Sequence, residues 1–328
     1  MAAVPGICPA TSSFAPGWES SAAPNKAGVR PAGRWRVLPS FGMWIPLQFA
    51  PAASSVTAVV LWGASDFAGG LGSKKANPFV LTAFSHVCAF ALMLLVALAQ
   101  GETLPDRVSI LWALLAGGLG GFSLAVFYGA LASGQMGLTA PIGALLGAAI
   151  PTLVDIALEG SPSRWSIAGF LLAIVAIWLI TRPEPQGEND ATGHPKGVAI
   201  AALSGVGFAG FYLCIHQAMG APAWVAAISR IGSLATTAAA VVATRAPLKL
   251  DAPRAALGMG AGCLDIIASA LFIYASQRGR LDEAVVITSL YPAVTVLLAR
   301  IVLREHFSRW KFLGLLAALA SVPLIAAG

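Results

Sequence analysis

Apolar residues along this chain come in long runs that are separated by short polar breaks. A helix rises 1.5 Å per residue, so about 20 apolar residues cross a ~30 Å hydrocarbon core. The breaks hold charged and turn-forming residues, for example at 73–78, 101–107 and 245–254. The pattern therefore predicts an all-α integral membrane protein with ten transmembrane helices, at 54–72, 78–99, 109–132, 136–158, 165–181, 197–218, 222–243, 254–276, 282–303 and 309–327.

The last two runs form the clearest pair. Between them lies the charged stretch 304–311, which includes Arg304, Glu305, Arg309 and Lys311. Charges are costly at the centre of a bilayer, so this stretch is expected to be a tight turn in the headgroup region. Trp310 adds an aromatic anchor of the kind found at membrane interfaces.

The two halves of the chain resemble each other. The longest break, a polar linker at 183–196, divides the runs into five plus five, at 54–182 and 197–328. Matching residues recur at an offset of about 145: Ser163-Arg164-Trp165 with Ser308-Arg309-Trp310, Pro78 and His86 with Pro222 and Arg230, Gly63 and Phe67 with Gly207 and Phe211. Since five is odd, the second repeat enters the membrane from the opposite side. Two inverted five-helix repeats are typical of secondary carriers, whose substrate site lies between the halves.

The first 53 residues differ from the rest. They are rich in Pro, Gly, Ser and Ala, with a loose basic cluster at Lys26, Arg30, Arg34 and Arg36. No signal-peptide core with a cleavage site is evident. Residues 1–53 are interpreted as a disordered tail or as a mis-assigned start that precedes Met43, with an organelle transit peptide as a lesser alternative.

Composition supports a multi-pass membrane protein. The chain is 57% hydrophobic and only 10% charged, whereas soluble domains carry about 25% charged residues. The net charge of +6 is explained by Lys and Arg that flank spans, and no clustered basic face predicts nucleic-acid binding. The four cysteines show no metal-binding spacing, so neither a zinc site nor a disulfide framework is expected.

Ionisable residues deep inside the predicted spans are the leading candidates for function, because each costs roughly 2.5–3.5 kcal/mol at a helix centre. They are Asp66, Asp265, Arg230 and His86. One hypothesis places both aspartates in a polar cavity, where a carboxylate could also exchange a proton with the medium. The alternative is a structural ion pair, either Asp66–Arg230 or Asp265–Arg230. Asp155 and Arg300 lie nearer helix ends and are expected to reach the interface.

Four aromatic residues could line such a cavity with an apolar wall and polar tips, or could equally pack between helices: Trp62, Tyr128, Tyr274 and Tyr291. Glycines at 117–121 and 258–262 are interpreted as close-packing positions between helices. Pro141, Pro151 and Pro292 are candidates for kinks or breaks that free backbone carbonyls.

The sequence contains no Walker motif, no HExxH and no Gly-x-Ser-x-Gly. These absences argue against an ATP-driven pump, so a solute or proton gradient would supply the energy. We expect neither an enzyme nor a bound cofactor or metal.

Several motifs resemble the EamA-type transporters of the drug/metabolite transporter superfamily. They are Leu61-Trp62-Gly63 in the first span, Tyr291-Pro292, Leu303-Arg304-Glu305 and Gly314 in the last span. The resemblance covers residues 54–328, and His86 stands where such carriers often have an arginine. It implies a secondary transporter, by expectation an exporter, of a small metabolite such as an amino acid. It also implies a multi-pass protein of the plasma (inner) membrane, either a monomer or a homodimer. The competing class is a non-transporting membrane protein, such as a lipid-modifying enzyme or a scaffold.

The family resemblance and the distribution of basic residues predict opposite orientations in the membrane. The family implies a cytoplasmic amino end, which leaves only four basic residues in the inside loops, Arg107, Arg164, Arg278 and Arg280. Ten basic residues would lie outside, opposite to the positive-inside tendency. Either the termini face outward, or one segment is miscounted, or Lys74 and Lys75 are misplaced.

Overall fold

A computed structural model describes residues 47–73, 76–132, 136–181, 195–303 and 308–327. The predicted tail up to residue 46, Lys74 and Lys75, nearly all of the linker and Arg304 to Phe307 lie outside these ranges, and the side chains of a few helical residues are likewise not described. After a short 3-10 helix at Leu47–Phe49, the described chain is helical, with these bounds: α1 Ala50–Ser73, α2 Pro78–Gln100, α3 Arg107–Ala132, α4 Met136–Glu159, α5 Arg164–Thr181, α6 Pro195–Gln217, α7 Pro222–Ala243, α8 Ala252–Arg278, α9 Leu281–Thr288, α10 Tyr291–Val302 and α11 Arg309–Ala326.

Local sequence explains where many of these helices begin. The side chain of Asn77 accepts from the backbone N–H of Phe79 (3.0 Å), and Asp251 accepts from that of Arg254 (3.1 Å). Each satisfies a donor that the first helical turn leaves without an intrahelical acceptor. The helix α2 ends at Gly101, whose φ of 64° suits a residue without a Cβ. These caps place the polar breaks where the hydropathy pattern predicts them.

The ninth predicted segment is broken into α9 and α10 around Ser289 and Leu290. Pro292, in the first turn of α10, has no N–H to continue the hydrogen-bond ladder. The hydroxyls of Thr288 and Ser289 donate to the carbonyls of Ala284 and Val285, both at 2.7 Å. The prediction of a break at Pro292 is thus confirmed, whereas Pro141 and Pro151 lie within the continuous helix α4.

The helices pack in pairs that are equivalent when the two halves are exchanged. The contact of α1 with α8 corresponds to that of α6 with α3, and the contact of α2 with α8 corresponds to that of α7 with α3. The fifth helix of each half, α5 and α11, pack on each other. The core of that region includes Phe170 and Ile177 of α5, Ile325 of α11 and Ile287 of α9.

Glycines allow the closest of these crossings. A Cβ on Gly117 would collide with the carbonyl of Ser229 in α7, and a Cβ on Gly262 would collide with the carbonyl of Ser85 in α2. The two positions correspond at the repeat offset. Small residues let helix backbones approach and gain dispersion contacts that side chains would block. The predicted close-packing role is confirmed here, but a Cβ on Gly260 would meet no neighbouring atom within 4 Å.

The outer surface is apolar. Large hydrophobic side chains stand exposed on several helices, for example Leu95, Leu111, Leu171 and Leu319, each more than three-fifths exposed. Such a surface is stable in lipid and not in water. Within the described ranges, six helical stretches are long and apolar enough to cross a membrane: Pro78–Gln100, Arg107–Leu124, Pro222–Ala243, Ala252–Arg278, Leu281–Val302 and Arg309–Ala326. Arg164–Ile180 is a shorter apolar stretch.

Candidate functional site

A cavity lies between the two halves of the protein. Its described lining comes from helices of both halves: Trp62, Asp66, His86, Gly120, Leu124, Phe127, Gly143, Gly147, Phe208, Phe211, Tyr212, Arg230, Ser233, Asp265, Ser269, Ser289 and Tyr291. It holds about 100 Å³ of space that the centre of a water molecule can reach. One water needs roughly 10–15 Å³ by that measure. The cavity therefore has room for several waters or for a small organic molecule.

An ion pair between α7 and α8 dominates one side of this cavity. Arg230 Nη1 lies 3.0 Å from Asp265 Oδ2, and Arg230 is only 6% exposed. Trp62 Nε1 donates to Asp265 Oδ1 at 3.0 Å, so both carboxylate oxygens are engaged. Arg230 Nη2 donates to the hydroxyl of Ser269 at 2.7 Å, and that hydroxyl donates to the Asp265 carbonyl at 2.9 Å. Of the two predicted pairings, the structure forms Asp265–Arg230.

Asp66 lines the same cavity but is not part of that pair. It is half-buried in α1, and it forms no hydrogen bond or ion pair with any residue in the described ranges. An uncompensated carboxylate within an apolar bundle is costly unless a proton, a cation or a ligand neutralises it. The two aspartates thus have different surroundings: Asp265 is fully engaged, and Asp66 is available.

Two of the lining residues carry buried nitrogen atoms without a described partner. His86 is 2% exposed, and neither of its ring nitrogens has a partner among the described residues. Nε of Arg230 is likewise buried and unpartnered there. Buried polar atoms are nearly always satisfied by protein, water or a ligand. The pattern therefore points to an occupant of the cavity that offers hydrogen-bond acceptors.

Aromatic side chains form another part of the cavity lining. Tyr212 packs between Phe211 (5.4 Å between ring centroids) and Phe272 (5.0 Å), and Phe127 packs on Phe208 (6.2 Å). Trp62 joins this group through Phe272, at 5.7 Å. Pattern reading missed the residues of α6, Phe208, Phe211 and Tyr212, because a Gly- and Phe-rich run looks the same whether it faces lipid or a cavity.

The three predicted tyrosines have different outcomes. Tyr291, at the start of α10, lines the cavity. Tyr274 is not among the described lining residues; its hydroxyl accepts from Arg278 at 3.1 Å, and its ring lies 4.5 Å from that guanidinium. The reason is its position, one turn from the end of α8, where an arginine is available. The side chain of Tyr128 lies outside the described residues.

A second polar cluster joins the end of α4 to the start of α9. Arg280 forms two hydrogen bonds with the carboxylate of Asp282 (3.0 and 2.9 Å) and donates to the carbonyl of Gly160 at 3.0 Å. Asp155 accepts from the backbone N–H of Asp282 at 3.0 Å. Hydrogen bonding to Asp282 raises the pKa of the Arg280 guanidinium, although burial opposes this. Arg280 therefore stays protonated at neutral pH.

The expectation that Asp155 reaches the interface is wrong. Asp155 is 4% exposed and Asp282 is fully buried. Only tertiary packing brings Arg280 and the first turn of α9 over the end of α4, because the two segments lie more than a hundred residues apart in sequence. The sequence pattern alone assigns Arg280 only to a loop.

The arrangement defines a class of protein: a helical bundle of two repeats, apolar outside, with a largely apolar cavity between the repeats that also holds a few ionisable side chains. The model of the EamA-like transporter family matches residues 52–182 and 195–327. The two matches correspond to the two sets of helices, and together they span most of the chain. The chain therefore belongs to the EamA-like transporter family and is a multi-pass membrane transporter of the drug/metabolite transporter superfamily.

Comparison with solved structures supports the same fold. A solved structure titled only "Crystal structure of protein" has a TM-score of 0.69 and 18% sequence identity, and the match covers 84% of this chain and 97% of that chain. Identity at this level shows the fold alone. No curated protein matches the sequence.

Proposed function

We propose that this protein is a secondary active transporter of ten transmembrane helices that exports a small metabolite, such as an amino acid or a related compound. It works by alternating access in the plasma membrane, with a proton as the coupling ion. Asp66 is the group that meets the substrate or the proton, and the Asp265–Arg230 pair holds the surrounding helices in place.

The observation that carries this proposal is the unpaired Asp66 in a cavity between the two repeats. A secondary carrier needs a site near the repeat interface whose charge state can change as substrate and ion exchange. Asp66 has no partner to give up in the described structure, so a proton or a cation can bind to it directly.

Contacts at the helix ends support the inverted relation of the repeats. A Cβ on Gly279, after the end of α8, would lie 3.1 Å from Pro51 at the start of α1. At that same end of α8, Gln277 donates to the carbonyl of Ala218, which follows the end of α6, at 2.8 Å. Thus α1 begins where its repeat counterpart α6 ends, and the two helices run in opposite directions.

The Asp155–Arg280–Asp282 cluster and the broken ninth segment support alternating access. The cluster fastens α9 to the end of α4, and both α9 and α10 pack on α1. The break at Ser289 and Leu290 lies at the cavity, because Ser289 and Tyr291 both line it. A segment that is broken at the site can move one of its halves without the other. This cluster therefore holds α9 against α4 in one of the two access states.

Isotope flux into proteoliposomes tests the proposal. A panel of amino acids and related metabolites is screened first by comparing internal and external pools in cells that overexpress the protein. For a compound whose pool shifts, Asp66→Asn should reduce flux at least about tenfold, the effect of removing one charged interaction of roughly 1.4 kcal/mol or more.

Asp251→Asn is the matched control, because Asp251 lies outside the cavity and asparagine also caps helices well. Its flux should equal that of the wild type. Undiminished flux in Asp66→Asn would remove Asp66 from the site. A protein that moves no compound in the panel would favour the non-transporting class.

A further inference from the structure

When Asp66 is ionised, the charges that line the cavity leave one negative charge without a partner. The ionisable lining residues in the described ranges are Asp66, Asp265, Arg230 and His86. Asp265 and Arg230 cancel through their ion pair, and a neutral imidazole adds nothing. A carboxylate in a site of low dielectric favours an occupant with one positive charge, because a neutral or anionic occupant leaves the excess charge in place.

The unpartnered nitrogens favour an occupant that also carries a hydrogen-bond acceptor. His86 and Arg230 both line the cavity, and the ring nitrogens of His86 and Nε of Arg230 are buried there without a partner in the described structure. An oxygen atom on the occupant would satisfy them. A carboxylate oxygen would do so at the cost of a further negative charge, whereas an amide, ester or hydroxyl oxygen would not.

The aromatic wall sets the remaining requirement. Phe208, Phe211, Tyr212, Phe127 and Trp62 give one side of the cavity an apolar surface. This surface favours an aliphatic or aromatic body over a strongly hydrated one. A cation held beside aromatic rings also gains from their negative faces.

We infer that the substrate of this site is a small amine with one net positive charge, an apolar body and a neutral oxygen acceptor, such as an amino amide, amino ester or amino alcohol. Its ammonium group meets Asp66, and its oxygen accepts from His86 and from Nε of Arg230. The inference rests on the proposed transport function and narrows its substrate to one charge class.

Four probes with the same branched body separate the charge classes. They are leucinamide (a cation with a neutral oxygen), leucine (a zwitterion), isopentylamine (a cation without the oxygen) and 4-methylpentanoate (an anion). Binding is measured by calorimetry on the purified full chain in lipid nanodiscs. Leucinamide should bind about tenfold more tightly than leucine or 4-methylpentanoate, and roughly fivefold more tightly than isopentylamine, as the loss of one ionic or one neutral hydrogen bond suggests.

Substitutions at two positions assign each preference to a residue. Asp66→Asn should abolish the preference for leucinamide over leucine. His86→Leu should reduce the preference for leucinamide over isopentylamine, because only Nε of Arg230 then donates to the oxygen, whereas His86→Gln, which keeps a donor and an acceptor, should retain it. A His86 variant that only damaged the fold would lower the affinity for both amines together.

The inference is overturned if leucine or 4-methylpentanoate binds as tightly as leucinamide, or if none of the four probes binds. Failure of the substrate class and failure of the transport proposal are distinguishable. A protein that moves another solute in an Asp66-dependent manner is a transporter of a different charge class. A protein that moves nothing in the metabolite panel fails the proposed function itself.

Discussion

The two halves of the bundle make the same helix contacts but present different chemistry to the cavity. In the pair α1 and α8, the cavity receives Asp66 and Asp265. At the repeat offset, the counterpart pair α6 and α3 has Gly210 and Gly120. The lining residues of α1 and α8 therefore include two carboxylates, and their counterparts in α6 and α3 are glycines. The two repeats share one scaffold but differ in the side chains that they present to the cavity.

His86 and Arg230 show the same contrast at single positions. They lie at equivalent places in α2 and α7, eight residues after Pro78 and Pro222. Both are buried, but Arg230 holds an ion pair and a hydrogen bond, whereas His86 has no partner in the described structure. Equivalent positions in the fold thus have different surroundings: Arg230 is held by an ion pair and a hydrogen bond, and His86 has no described partner.

Breaking the Asp265–Arg230 ion pair should cause the largest loss of stability. Arg230→Met removes the cation beside Asp265 and should lower the free energy of unfolding by about 3 kcal/mol, because a carboxylate is left in an apolar surrounding. Thermal unfolding in detergent measures the change. His86→Leu should leave the unfolding midpoint unchanged or higher, since it removes a polar side chain without described partners.

The double variant Arg230→Met with Asp265→Asn is the control, and it should recover most of the lost stability. If Arg230→Met alone is as stable as the wild type, then the ion pair does not hold the bundle, and the assignment of separate roles to Arg230 and His86 is wrong.

Replacing glycine where two helices cross should cause the next largest loss of stability. Gly262→Ala inserts a methyl group against the Ser85 carbonyl and should cost about 1–3 kcal/mol through overpacking. Gly117→Ala should cost a similar amount at the equivalent crossing of α3 with α7. Gly260→Ala, two residues away in α8, has open space and is the matched control. If Gly260→Ala and Gly262→Ala lower the unfolding midpoint equally, the close approach of α8 to Ser85 in α2 is contradicted.

Loss of the Asp155–Arg280–Asp282 cluster should have a moderate effect, a change in the access of solvent to the cavity. In a cysteine-free background, Ser289→Cys places a thiol in the cavity, and a membrane-impermeant reagent applied to each side reports access. The thiol should react from one side in the parent protein and from both sides after Arg280→Gln, because α9 is then released from α4. Arg254→Gln, which disturbs only the exposed pair with Asp251, should leave access one-sided.

Replacing the tyrosines should have the smallest effects on stability and transport, and the two variants should differ in substrate affinity. Tyr274→Phe removes a hydroxyl that contacts exposed Arg278, so stability should change by less than about 0.5 kcal/mol and flux should be unchanged. Tyr291→Phe alters the cavity wall and should lower substrate affinity a few-fold. Equal flux and affinity for both variants would place Tyr291 outside the binding surface.

Much of the fold could be predicted from local pattern. Apolar length predicted helices close to those described, and Pro292 predicted the break in the ninth segment. Membership in the EamA-like family was also predicted, from Leu61-Trp62-Gly63 and the motifs of the last hairpin. The prediction for Asp155 failed because distance from a helix end says nothing about what another helix places over that end.

The sequence by itself determined the helices, the repeat and the presence of costly ionisable groups inside apolar runs, because these depend on hydropathy, caps and spacing along one chain. Only the tertiary structure decided which aspartate binds Arg230, which lines the cavity without a described partner, and which aromatic rings join the lining. The physical reason is that pairing and burial depend on helices far apart in sequence. The choice between Asp66 and Asp265 for Arg230 was made by how α1, α7 and α8 pack.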